Sequence, residues 1–286
     1  MGRHGTGASG WKWQEPLRRA WRRWVERRGR PVLGLALSGG NVRGVAHIGV
    51  LAALEEAGIR PDLVAGTSAG SLVGAFYCAG WESARLLEEI KNFSWREVAR
   101  PRLPDLMGLL DSQMIEEWVV RRLGDIRMED LDIPFAAVAT DLVAGQRVVL
   151  REGPLAPAVR ASCAIPGIFS PYITPEGRIL VDGGVVDNLP VQVAREMGAE
   201  AVLAVNVSST TLPLGGPPRN ILEVLEYAWR IHLRTVWREG RDPDWLVEPE
   251  IPVFPVLEVA EHAEEVYQAG YRAMQQVLPQ VLQVWR

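Results

Sequence analysis

Gly66-Thr67-Ser68-Ala69-Gly70 is the stretch of this 286-residue chain that decides its predicted fold. An apolar run typical of a buried strand precedes it at residues 63–65, and residues 71–78 have the pattern of a buried helix. Strand, turn and helix are the context in which a G-x-S-x-G serine stands clear of a sheet. Ser68 is therefore the candidate nucleophile, with Gly66 and Gly70 as turn glycines. A glycine-rich turn that merely starts a buried helix is the alternative.

The same region could also be taken for a membrane span. It is uncharged over the 19 residues from 63 to 81, and glycines 66, 70 and 74 have GxxxG spacing. Four glycines, two serines and a threonine dilute its apolar character, and Asp62 and Glu82 flank it in place of basic or aromatic residues. We expect a buried strand, turn and helix here.

A second strand, loop and helix comes before the first. Residues 31–37 are apolar, residues 38–44 are rich in glycine, and apolar residues then recur at helical spacing over residues 45–54. The backbone N–H groups of such a loop form a preformed anion site, which suits an oxyanion hole or a phosphate cradle. The loop lacks a GK[ST] sequence, and no acidic residue ends the next strand, so nucleotide binding is disfavoured and no cofactor is expected.

Strand and helix patterns alternate along the rest of the chain. Predicted strands cover residues 135–139, 147–150, 179–181 and 201–207, and predicted helices cover 115–123, 191–197, 221–238 and 260–278. Such alternation predicts an α/β fold, a three-layer α/β/α sandwich with a mostly parallel sheet and helices on both faces. We expect a single domain over residues 31–286, preceded by an arm of residues 1–30.

A serine hydroxyl needs a base before it can act as a nucleophile. His232 and His262 fit the order Ser, acid, His of α/β hydrolases, although both fall on helices that look exposed. The carboxylate alternative is Asp182, which follows a predicted strand and precedes Gly183 and Gly184. The residues alone leave both bases open, and a plain Asp-Gly hairpin turn is a third interpretation.

Composition and charge narrow the class of protein. The chain is 48% apolar and 23% charged, as ordinary soluble globular proteins are. Two cysteines, Cys78 and Cys163, and no cleavable apolar leader favour a cytoplasmic location, and no metal-ligand cluster is visible. The formal charge is −4 although residues 1–30 carry nine Lys and Arg against two Glu, so the remainder is acidic and nucleic-acid binding is disfavoured.

The N-terminal arm combines basic and aromatic residues. Within residues 11–28, Leu17, Trp21 and Trp24 fall at helical spacing and arginines populate the other faces. This pattern is typical of a helix that lies on an anionic membrane surface, so we expect peripheral attachment. Docking of the arm on the acidic body or on a second subunit is the alternative, and the sequence does not indicate an oligomeric state.

Four blocks, taken in chain order, resemble those of bacterial patatin-like phospholipases. They are residues 38–44, 66–70, 161–171 and 182–184, and the likeness extends over about residues 32–274. The resemblance implies the α/β/α sandwich and a lipid acyl hydrolase that acts on phospholipids or other lipid acyl esters. It further implies a Ser-Asp dyad without a catalytic histidine, in which Ser68 is the nucleophile and Asp182 accepts its proton.

The resemblance also assigns roles in the glycine loop. Gly39, Gly40 and the residue after them would supply the oxyanion N–H groups, and Arg43 matches the basic residue before the last glycine, Gly44. Asn41 stands where the family usually has a third consecutive glycine. Asparagine tolerates left-handed backbone, but its side chain could fill the place of the substrate oxygen. A patatin-like protein that binds lipid and turns it over weakly is therefore an alternative.

Overall fold

The structure is a computed structural model that describes residues 30–98, 100–101, 107–208, 217–218, 220–236, 242–252, 254 and 256–285, apart from the side chains of residues 222, 226 and 234–236. Its strands are β1 (Leu33–Leu37), β2 (Leu63–Thr67), β3 (Gly108–Leu110), β4 (Phe135–Asp141), β5 (Gln146–Leu150), β6 (Gly167–Phe169), β7 (Tyr172–Ile173), β8 (Ile179–Asp182), β9 (Ala201–Val205) and β10 (Trp245–Val247). Its helices are α1 (Val45–Glu56), α2 (Ala69–Cys78), α3 (Ser83–Lys91), α4 (Gln113–Leu123), α5 (Leu155–Ser162), α6 (Val191–Glu196), α7 (Ile221–Val236) and α8 (Val259–Trp285).

A mostly parallel sheet forms the centre of the molecule. Strands β10, β9, β1, β2 and β4 lie side by side in this order and are all parallel. Strands β5 and β8 are antiparallel to β4, and β7 is antiparallel to β8. The short connection at residues 142–145 explains the direction of β5, because parallel neighbours need a long crossover. The predicted mostly parallel α/β fold is confirmed.

Alternate side chains of the strands enter two cores on opposite faces of the sheet. Leu35, Val64 and Leu203 pack in the core that contains α1, α2, α5 and α8. Ala36, Ala65 and other residues one position along each strand pack in the core that contains α6. This two-residue period is what a sheet covered on both faces requires, and it confirms the layered arrangement.

Helices α1 and α8 cross where both carry glycine. A Cβ atom on Gly49 would overlap the carbonyl oxygen of Tyr267, and one on Gly270 would overlap that of Ala46. The two backbones can therefore touch only because neither residue has a side chain. The contact holds α8 against the helix that follows the glycine loop.

The structure confirms the prediction for residues 63–81 but does not test the prediction of an N-terminal arm. Residues 63–81 form β2, a turn and α2, as expected, and none of the helices in the described ranges is long and apolar enough to cross a membrane. The predicted arm lies outside the described residues apart from Arg30. The division into residues 1–30 and 31–286 therefore stays a prediction.

Candidate active site

Ser68 occupies the sharp turn between β2 and α2. Its backbone has φ 51° and ψ −121°, a left-handed conformation that non-glycine residues rarely adopt. The turn is tight because a Cβ atom on Gly66 would lie 2.5 Å from the carbonyl oxygen of Gly70. A Cβ atom on Gly70 would in turn overlap the carbonyl oxygen of Leu37 at the end of β1. Both predicted turn glycines are thus needed for close backbone packing.

The backbone of Ser68 is anchored by two neighbouring serines. The hydroxyl of Ser162 accepts a hydrogen bond from the Ser68 N–H at 2.9 Å and donates one to the carbonyl oxygen of Val138 at 2.6 Å. The hydroxyl of Ser71 donates to the carbonyl oxygen of Ser68 at 2.7 Å. Sequence reasoning missed Ser162, although it lies in the third family-like block. A serine at the end of a mostly apolar helix was the available signal.

Strand β4 brings the ends of β2 and β8 together. Its residue Val138 pairs with Thr67 of β2, and the next residue, Ala139, pairs with Asp182 of β8. Both partners lie on the same edge of β4, because β5 occupies the opposite edge over residues 137–141. Since β2 is parallel and β8 antiparallel to β4, the two strands meet head-on. For this reason Thr67, the residue just before Ser68, lies next to Asp182.

Asp182 is fully buried at this junction. Its Oδ1 accepts a hydrogen bond from the N–H of Gly184 at 2.8 Å, while Oδ2 has no hydrogen-bond partner among the described residues. Burial raises the pKa of the Asp182 carboxyl to about 7, and the nearby Ser68 hydroxyl and the Gly184 N–H act in the opposite direction. The Ser68 hydroxyl therefore lies close enough to the carboxyl group to favour its ionised form. It makes no hydrogen bond of ordinary geometry to Oδ2 in this structure. Such contacts often tighten only when substrate binds.

The glycine loop offers two unengaged N–H groups rather than three. The N–H of Gly39 donates to the carbonyl oxygen of Asn188 at 3.1 Å, so Gly39 does not fit its predicted role as an oxyanion donor. The N–H groups of Gly40 and Asn41 have no partner in the described part of the chain. Asn41 has φ 54°, in the left-handed region, and lines the cavity beside Ser68.

Arg43, Gly44 and Gly183 hold the segments around the site in close contact. The Nε of Arg43 donates to the carbonyl oxygen of Val207 at 3.1 Å, which ties the loop to the segment after β9. A Cβ atom on Gly44 would lie 2.5 Å from the Cβ of Ala69, so its absence lets the loop pack on the first turn of α2. On the acid side, a Cβ atom on Gly183 would overlap the carbonyl oxygen of Val138.

An apolar cavity of about 150 Å³ opens beside Ser68. Apolar side chains from α2, α4 and neighbouring segments form most of its wall, among them Leu72, Val73, Trp95, Trp118, Ile165 and Phe169. A cavity of about this volume, lined by aliphatic and aromatic side chains, stays dry and binds benzene in another protein. The site can therefore hold a short hydrocarbon segment next to the serine hydroxyl.

The comparison with protein families decides where the chain belongs. The model of the patatin-like phospholipase family matches residues 35–195, which include the glycine loop, Ser68 and Asp182. This chain belongs to the patatin-like phospholipase family. The predicted resemblance is confirmed.

Relatives of this patatin-like chain come from bacteria and eukaryotes. An uncharacterised NTE family protein of Mycobacterium tuberculosis (strain ATCC 25618 / H37Rv) is 38% identical over 192 residues, which are 66% of this chain and 52% of the relative. Patatin-like phospholipase domain-containing protein 6 of Homo sapiens is 38% identical over 183 residues, 62% of this chain and 13% of that protein. Lysophospholipase NTE1 of Mycosarcoma maydis is 38% identical over 62% of this chain and 10% of its own length. The chain spans about half the length of the mycobacterial relatives.

The fold is shared with a solved structure of another protein. VipD from Legionella pneumophila superposes with a TM-score of 0.53 at 14% sequence identity, over 87% of this chain and 67% of that chain. At this identity the likeness concerns architecture alone.

The three histidines among the described residues, His47, His232 and His262, have partners of their own. The Nε2 of His232 lies 2.9 Å from the carbonyl oxygen of Val185, and the Nδ1 of His262 lies 3.2 Å from a carboxylate oxygen of Glu265. His47 is fully buried with Nε2 2.9 Å from the carbonyl oxygen of Ser38, and burial lowers its pKa to about 4. None of these three lines the cavity beside Ser68.

Among the described residues, the thiols do not form a second nucleophile and the carboxylates do not form a metal site. Burial raises the pKa of Cys163, on the wall of the cavity, to about 12, so its thiol stays protonated. Cys78 is fully buried, and burial raises its pKa as well. Within the described ranges, no group of three or more His, Cys, Asp or Glu side chains could hold a metal ion.

Proposed function

We propose that this chain is a hydrolase of lipid acyl esters, phospholipids among them, in which Ser68 and Asp182 form the catalytic dyad. The observation that carries the proposal is the serine in a strained turn beside a fully buried carboxyl group with one unpartnered oxygen. The family, and the name lysophospholipase of one relative, support the substrate class.

The first step transfers the acyl group to the enzyme. Asp182 Oδ2 accepts the proton of the Ser68 hydroxyl as Oγ attacks the ester carbonyl carbon. The proton then passes to the departing alcohol oxygen as the ester C–O bond breaks. The N–H groups of Gly40 and Asn41 stabilise the developing oxyanion, and each such donor is worth about 3 to 4 kcal/mol of the barrier.

The second step releases the product. Water attacks the carbonyl carbon of the acyl enzyme and gives a proton to Asp182, and this proton returns to Ser68 Oγ when the C–Oγ bond breaks. A carboxylic acid leaves and the hydroxyl of Ser68 is restored. The apolar cavity holds the acyl segment next to the carbonyl throughout.

A panel of phospholipids, lysophospholipids and p-nitrophenyl esters tests the proposal with wild type, Ser68→Ala and Asp182→Asn side by side. We expect both variants to lose turnover while their circular dichroism spectra stay like wild type. His232→Ala and His262→Ala are the matched controls and should keep activity. Full activity of Asp182→Asn together with a dead histidine variant would show that the base is an imidazole.

Asn41 favours a second candidate, a protein that binds lipid and turns it over weakly. It lines the cavity at a position where the family usually has glycine. Binding of lipid by wild type without any hydrolysis across the panel would support this candidate, and Asn41→Gly would then be expected to raise the hydrolysis rate.

We further propose that the protein is cytoplasmic and that residues 11–28, which lie outside the described residues, attach it to anionic membrane surfaces. The density of Arg and Trp in this segment supports the proposal. Attachment would concentrate the enzyme on a lipid substrate.

A further inference from the structure

Asn188 is buried beside the proposed dyad and has a polar atom that the mechanism above does not use. The residue is 1% exposed. Its Nδ2 donates to the hydroxyl of Ser208 at 2.9 Å and to the carbonyl oxygen of Gly39 at 3.5 Å. Its Oδ1 has no hydrogen-bond partner among the described residues. A buried acceptor without a donor is unusual and indicates a function or a bound donor.

Neighbouring hydrogen bonds fix which way the Asn188 amide faces. The Nδ2 of Asn206 donates to Glu248 at 2.9 Å, so Oδ1 of Asn206 is the atom that accepts the Ser208 hydroxyl at 2.7 Å. A hydroxyl has one hydrogen, which Ser208 has thereby donated, so Ser208 can only accept from Asn188. The NH₂ group of Asn188 must therefore face Ser208, and Oδ1 faces the other way.

The unpartnered Oδ1 lies where the glycine loop, Ser68 and residues 182–184 at the end of β8 meet. A Cβ atom placed on Gly39 would lie 2.5 Å from this oxygen and 3.1 Å from the Cβ of Ser68. A Cβ atom placed on Gly184 would lie 3.1 Å both from this oxygen and from Oδ1 of Asp182. Oδ1 of Asn188 and Oδ2 of Asp182 are thus two buried acceptors without donors in one small region. Water is the smallest molecule that can donate to both.

Resting on the proposed function, we infer that Asn188 Oδ1 and Asp182 Oδ2 together bind the water that hydrolyses the acyl enzyme, which makes Asn188 a catalytic residue of the second step. One O–H of the water donates to Asn188 and orients the oxygen toward the acyl carbon. The other proton moves to Asp182 as the new C–O bond forms. Collapse of the tetrahedral intermediate breaks the C–Oγ bond, and Asp182 returns the proton to Ser68. In the first step the Ser68 hydroxyl itself is the donor to Asp182, so Asn188 is not needed there.

Pre-steady-state hydrolysis of p-nitrophenyl butyrate by the full chain separates the two steps. With Asn188→Ala we expect the first release of p-nitrophenol to stay within about threefold of wild type, while steady-state turnover falls by about tenfold or more. The burst should approach one p-nitrophenol per enzyme, because acyl enzyme accumulates. Added hydroxylamine, a stronger nucleophile than water, should raise the steady-state rate of the variant by a larger factor than that of wild type.

Two further variants keep the test decisive. Asn92→Ala, at an exposed asparagine whose side chain donates to the carbonyl oxygen of Glu88, is the matched control and should behave like wild type. Ser208→Ala keeps the Asn188 side chain but removes the hydroxyl that orients it, so it should slow the second step by a smaller factor. It replaces Asn188→Ala as the test if that variant does not fold.

The inference on Asn188 is wrong if both steps slow equally, if only the first release slows, or if neither changes. Each of these results applies when the wild-type enzyme, measured alongside, turns over the ester through Ser68. Loss of the proposed function itself would look different, because wild type would then neither release p-nitrophenol nor form an acyl enzyme on Ser68, and the inference would fall with it.

Discussion

Asp182 has its carboxyl group in a fully buried position, and burial raises the pKa of that group to about 7. A general base must be ionised before it can take the proton of Ser68. We therefore expect kcat/KM for an uncharged p-nitrophenyl ester to rise about tenfold per pH unit below pH about 7 and to level off above it. Initial rates between about pH 5 and pH 9 measure this. A flat profile down to pH about 5 would contradict the role of Asp182 as base.

The same carboxyl group should make the protein less stable as the pH rises. Its folded pKa of about 7 lies above the ordinary value of 3.8, so the folded state binds the proton more tightly than the unfolded state. The free energy of unfolding should then fall between about pH 4 and pH 7 and stay lower above that range.

Asp182→Asn removes this pH-dependent loss because an amide cannot ionise. We expect the Asn variant to unfold at a higher temperature than wild type at pH about 8, with the difference shrinking toward pH about 4. Thermal unfolding at both pH values measures it. A variant less stable than wild type at the higher pH would show that the buried carboxylate is compensated by contacts that the amide loses.

At the scale of secondary-structure elements, α5 reaches the site through one side chain. Ser162 links the N–H of Ser68 to the carbonyl oxygen of Val138 on β4. Ser162→Ala leaves both buried groups unpaired, at a cost of about 1 to 3 kcal/mol each. We expect turnover to fall by about tenfold or more while the protein still folds.

Ser94→Ala is the control for this prediction. Ser94 is exposed, and its hydroxyl makes no hydrogen bond within the described part of the chain. Its rates should match wild type. Equal activity of Ser162→Ala and Ser94→Ala in the ester assay would mean that Ser68 keeps its conformation without the anchor.

The crossing of α1 and α8 makes a prediction about stability alone. Gly270→Ala would press a methyl group into the carbonyl oxygen of Ala46, so we expect a loss of about 1 to 3 kcal/mol or more in the free energy of unfolding. Gly74→Ala is the matched substitution within α2. Its methyl group would lie 3.0 Å from the ring of Phe135 and 3.2 Å from a methyl of Val64, side chains that can shift. Chemical denaturation should give Gly74→Ala a clearly higher free energy of unfolding than Gly270→Ala. The reverse order would contradict the packing described.

Local patterns of the sequence carried the predictions that succeeded. The turn at Ser68 could be predicted because the apolar run, the G-x-S-x-G residues and the helix lie within one short stretch. The layered sheet followed from the alternation of strands and helices. The antiparallel direction of β5 and β8 did not follow, since it depends on connection length and pairing rather than on the strands themselves.

What the sequence left open depends on contacts between distant segments. The neighbourhood of Ser68 and Asp182 depends on the register of β4, which pairs adjacent residues with β2 and β8. No local pattern records that register, so the residues alone left carboxylate and histidine open. The same reason explains Gly39, whose N–H is taken by a carbonyl group of Asn188 far along the chain.

At the scale of the whole molecule, the basic arm should decide whether the protein binds membranes. Arg30 pairs with Asp62 at 2.7 Å and stacks over the ring of Trp285 at 3.5 Å, so a truncated chain should begin at Arg30 to keep these contacts and β1. We expect the full chain to co-sediment with anionic vesicles and the chain beginning at Arg30 to stay in solution, because residues 11–28 supply the basic and aromatic groups. Vesicles of zwitterionic lipid are the control. Equal binding of both chains to anionic vesicles would rule out the membrane role of the arm.

The most direct test of the central claim is to find where a fluorophosphonate attaches and how fast. Intact mass and peptide mapping should place one adduct on Ser68 in wild type, with none in Ser68→Ala. Asp182→Asn should slow the labelling by about a hundredfold or more, while His232→Ala and His262→Ala label at the wild-type rate. An adduct on another residue, or wild-type labelling of Asp182→Asn, would contradict the claim that this aspartate activates Ser68.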